Sequence, residues 1–143
     1  MTYVDTSVLF PLYVPDANSA RADAWRQANP EPIDFTGFHR IELRNALSLA
    51  VFQQRLTPVQ AEAAWTQVQE DLKAGFLVAK PNVWAKLIPE AEALATHHTP
   101  TIGTRSLDIL HVSAALVMGA TEFCTFDVRQ GKLARLAGMD LRP

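Results

Sequence analysis

Short apolar runs of strand length alternate with stretches of helical periodicity along the whole chain, and this alternation restricts the fold most strongly. The predicted strands cover residues 3–4, 32–36, 76–79 and 122–126, and a short edge strand covers 139–141. The predicted helices cover 19–29, 39–54, 57–73, 82–94, 106–118 and 128–137, and a further short helix follows the first strand. Apolar residues recur at helical spacing over 39–54. Strands that alternate with helices predict an α/β fold with a mainly parallel central sheet flanked by helices.

Local signals predict several helix boundaries. Thr57 and Gln60 have the spacing of a capping box, with a proline at the first helical position between them. Asn82 is predicted to cap the next helix, in which Pro89 introduces a kink or a break. Residues 99–104 are predicted as a loop. The chain contains no internal repeat and no linker, so we expect residues 1–143 to form a single domain.

Composition excludes several classes of protein. With 143 residues, 48% hydrophobic and 20% charged, the chain has the make-up of a globular domain and not of a disordered one. No apolar stretch is long enough for a membrane helix, and the first residues lack the features of a signal peptide. The single cysteine excludes an intramolecular disulfide, so we expect a cytoplasmic protein. The net charge of −2 excludes a globally basic nucleic-acid binder.

Four acidic residues occupy unusual positions. Asp5 and Asp127 directly follow predicted strands, where ligands of open α/β sheets bind, beyond the carboxyl ends of the strands. Glu42 and Asp108 each lie between two apolar residues near the start of a predicted apolar helix. Taken singly, each acid is equally well explained as a helix cap or as a solvent-exposed side chain near a helix N-terminus.

Taken together, the four acids indicate a metal site. Carboxylates gathered in one cleft repel one another by about 4 kcal/mol for a pair about 4 Å apart with moderate screening. Divalent cations remove this repulsion, and ligands that are all oxygen favour Mg²⁺ or Mn²⁺ over zinc. Such ions activate water and stabilise the charge that develops on a phosphodiester. The grouping of the acids therefore predicts phosphoryl hydrolysis.

Four segments of the sequence resemble, in order, the motifs of PIN-domain nucleases, and of VapC-type toxins in particular. They are Tyr3-Val4-Asp5-Thr6-Ser7-Val8-Leu9, His39-Arg40-Ile41-Glu42-Leu43-Arg44-Asn45-Ala46-Leu47, Arg105-Ser106-Leu107-Asp108-Ile109-Leu110-His111-Val112 and Thr125-Phe126-Asp127-Val128-Arg129-Gln130. The resemblance extends over residues 1–138, and each segment carries one of the four acids. Each motif is weakly specific by itself, whereas four in this order in a chain of this length are fairly specific.

The resemblance implies a PIN-like fold with an acidic cleft at the C-terminal edge of the strands and a Mg²⁺-dependent endoribonuclease activity. Asp5, Glu42, Asp108 and Asp127 match the family's acidic positions and are the expected catalytic and metal-binding residues. The residues expected to orient these carboxylates or water are Thr6, Asn45 and Thr125. His111 is expected to be a core histidine bonded to a carbonyl, and the pair His97-His98 is expected at a solvated helix end.

Substrate and partners follow from the same resemblance. The cations expected to bind RNA flank the acidic motifs and are Arg40, Arg44, Arg105, Arg129 and Lys132. A VapC-type toxin implies a small VapB-type antitoxin that blocks the cleft, and a homodimer. Apolar residues of the early helices are expected either on these interfaces or in the core, namely Phe10, Leu12, Trp65 and Leu72.

Three other functions were weighed. A phosphatase of the haloacid dehalogenase type would use Asp5 as its nucleophile, but it normally has a second acid two residues later, where this chain has Ser7. A stand-alone PIN nuclease in RNA processing and a PIN-like binding module without turnover both stay open, since the sequence does not distinguish them from a toxin.

Overall fold

Five strands and seven helices alternate through the computed structural model, which describes residues 1–143. The strands are β1 (Thr2–Val4), β2 (Ile33–Thr36), β3 (Leu77–Lys80), β4 (Glu122–Cys124) and β5 (Asp140–Arg142). The helices are α1 (Thr6–Tyr13), α2 (Ser19–Ala28), α3 (Gly37–Phe52), α4 (Pro58–Ala74), α5 (Trp84–Ile102), α6 (Ser106–Val117) and α7 (Val128–Leu136). Every strand pairing is parallel, so the predicted α/β class is confirmed.

Residue contacts divide the chain into two units. The terminal unit contains Met1–Ser7 and Pro81–Pro143, and the middle unit contains Val8–Lys80. In the terminal unit the strands lie in the order β1-β4-β5, with Tyr3 opposite Phe123 and Phe123 opposite Leu141. The rings of Tyr3 and Phe123 stack with centroids 5.4 Å apart, and both side chains are fully buried because helices α5, α6 and α7 pack together in this unit.

The middle unit has its own two-stranded sheet. Strands β2 and β3 pair in parallel, with Ile33 opposite Leu77, and α3 packs against α4. The apolar spacing predicted for α3 produces a buried stripe that includes Leu43 and Leu47. Ile41 lies two residues before Leu43 and therefore outside this stripe, and 66% of its surface is exposed.

The helix boundaries agree with the sequence in part. The predicted capping box forms, because the Gln60 N–H donates to the Thr57 hydroxyl at 3.2 Å and the Thr57 N–H donates to the Gln60 side chain at 2.8 Å.

Two predictions about α5 are wrong. Its N-cap is Val83 instead of Asn82, and the helix continues through the predicted loop to Ile102, where Gly103 adopts a left-handed conformation with φ of 62°. A proline removes one helical hydrogen bond, and packing of the helix can compensate for this loss. The helix also passes unbroken through Pro89.

None of the helices combines the length and the apolar character that crossing a bilayer requires.

Candidate metal centre

Asp5 lies at the carboxyl end of β1, where the chain leaves the strand and enters α1. Its backbone N–H still donates to the Cys124 carbonyl at 2.8 Å, so the parallel pairing of β1 with β4 fixes its position. The residue is only 4% exposed. An ionised carboxylate this deeply buried requires hydrogen bonds or a cation.

One oxygen of Asp5 is held by hydrogen bonds from its own unit. Oδ2 accepts the Ser7 N–H at 3.0 Å and the Thr125 hydroxyl at 3.1 Å. The Ser7 hydroxyl lies 3.2 Å from the Thr125 hydroxyl and accepts the Phe126 N–H at 2.9 Å. The Thr125 hydroxyl has a single proton and several oxygen neighbours, so either hydroxyl can be the donor in the contact between Ser7 and Thr125. This chain of hydroxyls fixes the orientation of the Asp5 carboxylate.

Asp127 follows β4 and forms the N-cap of α7. Its Oδ1 accepts the N–H groups of Arg129 at 2.8 Å and Gln130 at 2.9 Å, and its own N–H donates to Thr125 Oγ1 at 3.0 Å. Gln130 Oε1 lies 3.0 Å from the same threonine oxygen. Thr125 therefore connects the two acids that follow adjacent parallel strands.

Asp108 lies in the first turn of α6, and its Oδ2 accepts the Arg105 N–H at 3.1 Å. Burial raises the pKa of this carboxyl group, and the negative charges of Asp127 and Asp5 raise it further. The Arg105 N–H and the charge of Arg105 oppose this rise without reversing it. Asp127 and Asp5 thus add to the effect of burial and disfavour the ionised form of Asp108.

His111 lies three residues after Asp108 on α6 and is fully buried, as expected for a core histidine. Its Nδ1 is 2.8 Å from the Tyr3 hydroxyl, which takes the place of the expected carbonyl. One of its ring nitrogens lies within 4.8 Å of a carboxylate oxygen of Asp5. Sequence spacing alone could not show this proximity, because it depends on the packing of α6 beside β1.

Thr6 makes no hydrogen bond to any of the acids. Its hydroxyl is buried and forms no hydrogen bond within the protein. The hydroxyls that orient Asp5 and connect it to Asp127 are those of Ser7 and Thr125. Ser7 is not among the residues that the sequence predicts beside the acids, although its spacing of two residues from Asp5 is typical of a turn in which a carboxylate accepts a backbone N–H.

The remaining candidates of the second motif belong to the middle unit. Glu42 is half-buried on α3, and Asn45 is exposed one turn later. The guanidinium groups of Arg40 and Arg44 lie 5.2 and 5.1 Å from the centre of the Trp65 ring, and Arg44 also forms an ion pair with Glu62. These two arginines therefore already have partners within the unit.

The histidine pair His97-His98 lies inside the last turns of α5, since the helix extends further than expected. His97 is exposed, and its Nδ1 lies 2.7 Å from the Ala93 carbonyl. The two rings are 6.3 Å apart. The pair thus has the geometry of an ordinary helix surface.

The acids of the terminal unit have the chemistry that a hard divalent cation requires. Asp5, Asp108 and Asp127 each use one carboxylate oxygen for hydrogen bonds within the unit, and their other oxygens accept none. No lysine or arginine forms an ion pair with any of the three. Anchored carboxylates with unused oxygens and mutual repulsion are suited to Mg²⁺ or Mn²⁺. The residues present therefore fit such an ion.

Comparisons with known proteins agree with this fold. A family model described as the PIN domain matches residues 2–136. The solved structure of VapC20 from Mycobacterium tuberculosis, described as a sarcin-ricin loop cleaving toxin, is similar with a TM-score of 0.71 and 19% identity over 100% of both chains. FitAcB from Neisseria gonorrhoeae is similar with a TM-score of 0.64 and 18% identity, over 100% of this chain and 97% of that one. No curated protein sequence matches the chain.

Proposed function

Because this chain belongs to the PIN domain family, we propose that it is a metal-dependent endoribonuclease and that residues 1–143 act as one nuclease domain. The observation that carries this proposal is that Thr125 contacts both Asp5 and Asp127, and that no lysine or arginine forms an ion pair with these acids or with Asp108. Burial, and then the negative charges of Asp127 and Asp5, raise the pKa of Asp108. A carboxylate cluster that the chain leaves without a cation is suited to a divalent ion.

In this proposal the metal ligands are Asp5, Asp108 and Asp127, joined by Glu42 from the second motif. A bound Mg²⁺ or Mn²⁺ ion supplies positive charge that activates water and stabilises the phosphate oxygens. Asp5 and Asp108 present one unused oxygen each. Asp127 must cap α7 with one oxygen, so it acts through the other oxygen or through a water molecule.

Positioning of these acids is the proposed role of the neighbouring polar residues. The Thr125 hydroxyl supports both acids, because it donates to the Asp5 carboxylate and accepts the backbone N–H of Asp127. The buried Thr6 hydroxyl, which has no partner within the protein, is suited to bind water in the centre. Asn45 has the equivalent role beside Glu42, one helical turn away.

We further propose that the protein is the toxin of a VapBC-type pair, with an antitoxin that covers the acidic residues, and that it forms a homodimer. Similarity to VapC20, a toxin, supports this assignment. Of the four apolar candidates, Phe10 and Trp65 are buried and Leu12 and Leu72 are half-buried, so other residues must supply the interfaces. The large exposed apolar side chains of α3 and α4 are Ile41, Leu49, Phe52 and Val59. Activity on cellular RNA corresponds to a cytoplasmic location.

Cleavage of a mixed pool of structured RNA by the purified protein tests the proposal. The reaction is run with Mg²⁺, with Mn²⁺ and with a chelator, for the natural protein, Asp5→Asn and the control Asp140→Asn. Asp140 is an exposed acid of the same unit, on β5. We expect metal-dependent cleavage that only Asp5→Asn abolishes. Equal cleavage by both variants would refute the proposed site.

Two other functions give different results in the same assay. A binding module without turnover retains RNA in a mobility-shift assay and cleaves none of the pool under any metal condition. A stand-alone nuclease of RNA processing cleaves as proposed, but no small protein encoded beside it inhibits the reaction. Inhibition by such a neighbour supports the toxin.

A further inference from the structure

The terminal unit has a cavity beside Asp127 that is lined mainly by positively charged side chains. This cavity of about 470 Å³ opens between the end of α5 and the beginnings of α6 and α7. Its lining consists of Thr101, Ile102, Arg105, Asp127, Val128, Arg129 and Lys132. Three cations therefore surround the cavity together with a single acid.

The three cations of the cavity form no ion pair with an acidic side chain. Arg105, Arg129 and Lys132 are all exposed, and none of them forms an ion pair. Asp127 is the only acid of the lining and balances at most one of the three positive charges. The excess of positive charge in a concave site favours an anionic ligand.

The side chains, and not the helix ends, must bind this anion. Helix N-termini often bind phosphate through their free N–H groups. Here Asp127 already accepts N–H groups of the first turn of α7, and Asp108 accepts the Arg105 N–H ahead of α6. The remaining donors are the guanidinium forks of two arginines and the ammonium group of one lysine. This combination is typical of phosphate recognition.

The cations of the second motif provide a contrast. Arg40 and Arg44 line a different cavity of about 460 Å³ in the middle unit, together with Trp65. Both face the Trp65 ring, and Arg44 is paired with Glu62. Their charge is therefore partly satisfied by close partners, whereas Arg105, Arg129 and Lys132 form no ion pair. Of the five cations expected to bind RNA, these three are the ones that remain available.

We propose that Arg105, Arg129 and Lys132 form a subsite for the RNA phosphate next to the one that is cleaved. The inference rests on the proposed ribonuclease function and adds to it the place where the strand is held. Asp127 belongs both to this cavity and to the metal centre, so a strand that crosses it presents adjacent phosphates to the two sites. Val128, which is 75% exposed, and Ile102 offer apolar surface to the sugar or base between them.

Binding of a fluorescein-labelled single-stranded RNA, followed by anisotropy in the presence of a chelator, tests this subsite without cleavage. The variants are Lys132→Gln and the double variant Arg129→Gln/Lys132→Gln. The control is Arg135→Gln, an exposed arginine of α7 that does not line the cavity. We expect the double variant to bind on the order of ten-fold more weakly, and the slope of log K against log salt to fall by about 0.7 for each lost phosphate contact.

Three results would overturn the subsite. The first is unchanged RNA affinity and salt slope in the double variant. The second is an equal loss in Arg135→Gln, which would indicate only net charge. The third is that polyglutamate competes with the labelled RNA and unlabelled DNA of the same sequence does not. If this competition also disappears in the double variant, the site binds an acidic peptide. Competition by the DNA but not by inorganic phosphate supports a polynucleotide over a free anion.

Steady-state cleavage separates failure of the subsite from failure of the proposed function. If the natural protein cleaves RNA with metal, we expect the double variant to raise KM about ten-fold and to leave kcat unchanged, because neither residue touches the reacting atoms. A fall in kcat with unchanged KM would contradict the subsite and leave the nuclease intact. Absence of metal-dependent cleavage by the natural protein would instead refute the nuclease, whatever the binding data show.

Discussion

The acidic side chains at the two ends of strand β4 differ in how their negative charge is stabilised. At the beginning, Glu122 accepts hydrogen bonds from the Thr2 hydroxyl and from the Arg142 guanidinium, and these bonds lower its pKa. Beyond the other end, Asp127 belongs to a group of acids that has no paired cation, in which the pKa of Asp108 is raised. The chain thus stabilises the charge of one acid and leaves the others dependent on a ligand.

Helix capping explains only in part why acidic residues gather beyond the carboxyl end of β4. Asp127 and Asp108 each satisfy backbone N–H groups at the start of a helix, as Asn or Ser would also do. Capping requires one acceptor oxygen and no charge beyond the weak preference of the helix dipole. It does not account for the raised pKa of Asp108, which results from burial and then from the negative charges of Asp127 and Asp5. This surplus of negative charge is what the proposed metal ion offsets.

The largest expected effect separates the two ends directly. We expect Asp108→Asn to reduce metal-dependent RNA cleavage at least about 100-fold, because the asparagine keeps the capping oxygen but loses the charge that binds the ion. Glu122→Gln, at the opposite end of β4, should retain nearly full activity. Rates with Mg²⁺ and circular dichroism of both variants provide the measurement. An equal loss of cleavage in both variants would contradict the difference between the two ends of β4.

A smaller effect is expected for the residue that connects the acids. Thr125→Val removes the hydroxyl that donates to Asp5 and accepts the Asp127 N–H. Loss of such a supporting group typically weakens metal affinity or activity 10–100-fold. We expect the Mg²⁺ concentration for half-maximal cleavage to rise in Thr125→Val and to recover in Thr125→Ser. If Thr125→Ser is as impaired as the valine variant, the hydroxyl is not the cause.

The stability of the metal-free protein should respond in the opposite direction to its activity. Because the folded-state pKa of Asp108 is raised, the stability it contributes is full below its unfolded value and is lost as pH rises through its folded pKa. We therefore expect Asp108→Asn to raise the Tm at neutral pH by up to about 3 °C and to lose this advantage in acid.

Added Mg²⁺ should raise the Tm of the natural protein and leave that of Asp108→Asn almost unchanged. Thermal melts across pH, with and without the ion, provide the measurement. A destabilised Asp108→Asn in the absence of metal would show that the carboxylate is needed for the fold, which would contradict the like-charge account.

The sequence predicts the acids better than their surroundings, for a physical reason. That Asp5 and Asp127 follow strands can be read locally, and parallel pairing then brings them to the same edge. Contacts between side chains that follow different strands depend on the register of β1 with β4. The sequence therefore allows Thr125 to be proposed beside the acids, but it does not show that the Ser7 hydroxyl contacts Thr125. Which cations remain unpaired depends on packing, as Arg44 and Glu62 are 18 residues apart in sequence.

Helix ends were also only partly predictable. The capping box at Thr57 is a local signal and was correct, whereas α5 continues past Pro100 to Gly103. A proline predicts a break only when packing does not hold the helix on both sides of it. Here α5 packs against α6 and α7, and the left-handed glycine provides the stop.

The smallest expected effect concerns the paired end of β4 and has the reverse dependence on pH. The pKa of Glu122 is lowered, first by the Thr2 hydroxyl and then by Arg142, so its stabilising contribution is present above its unfolded pKa and is lost as pH falls through the folded value. Exposed ion pairs contribute little, so Glu122→Gln should lower the free energy of unfolding by less than about 1 kcal/mol.

Urea denaturation of Glu122→Gln and Asp108→Asn at neutral and acidic pH provides the comparison. We expect the deficit of Glu122→Gln and the advantage of Asp108→Asn both to shrink in acid, because each variant removes a charge that protonation also removes. Added salt should reduce the deficit of Glu122→Gln, since its ion pair with Arg142 is exposed. If both variants change the free energy of unfolding in the same direction at neutral pH, the acids at the two ends of β4 are stabilised in the same way. That result would contradict the need for a bound cation beside Asp5, Asp108 and Asp127.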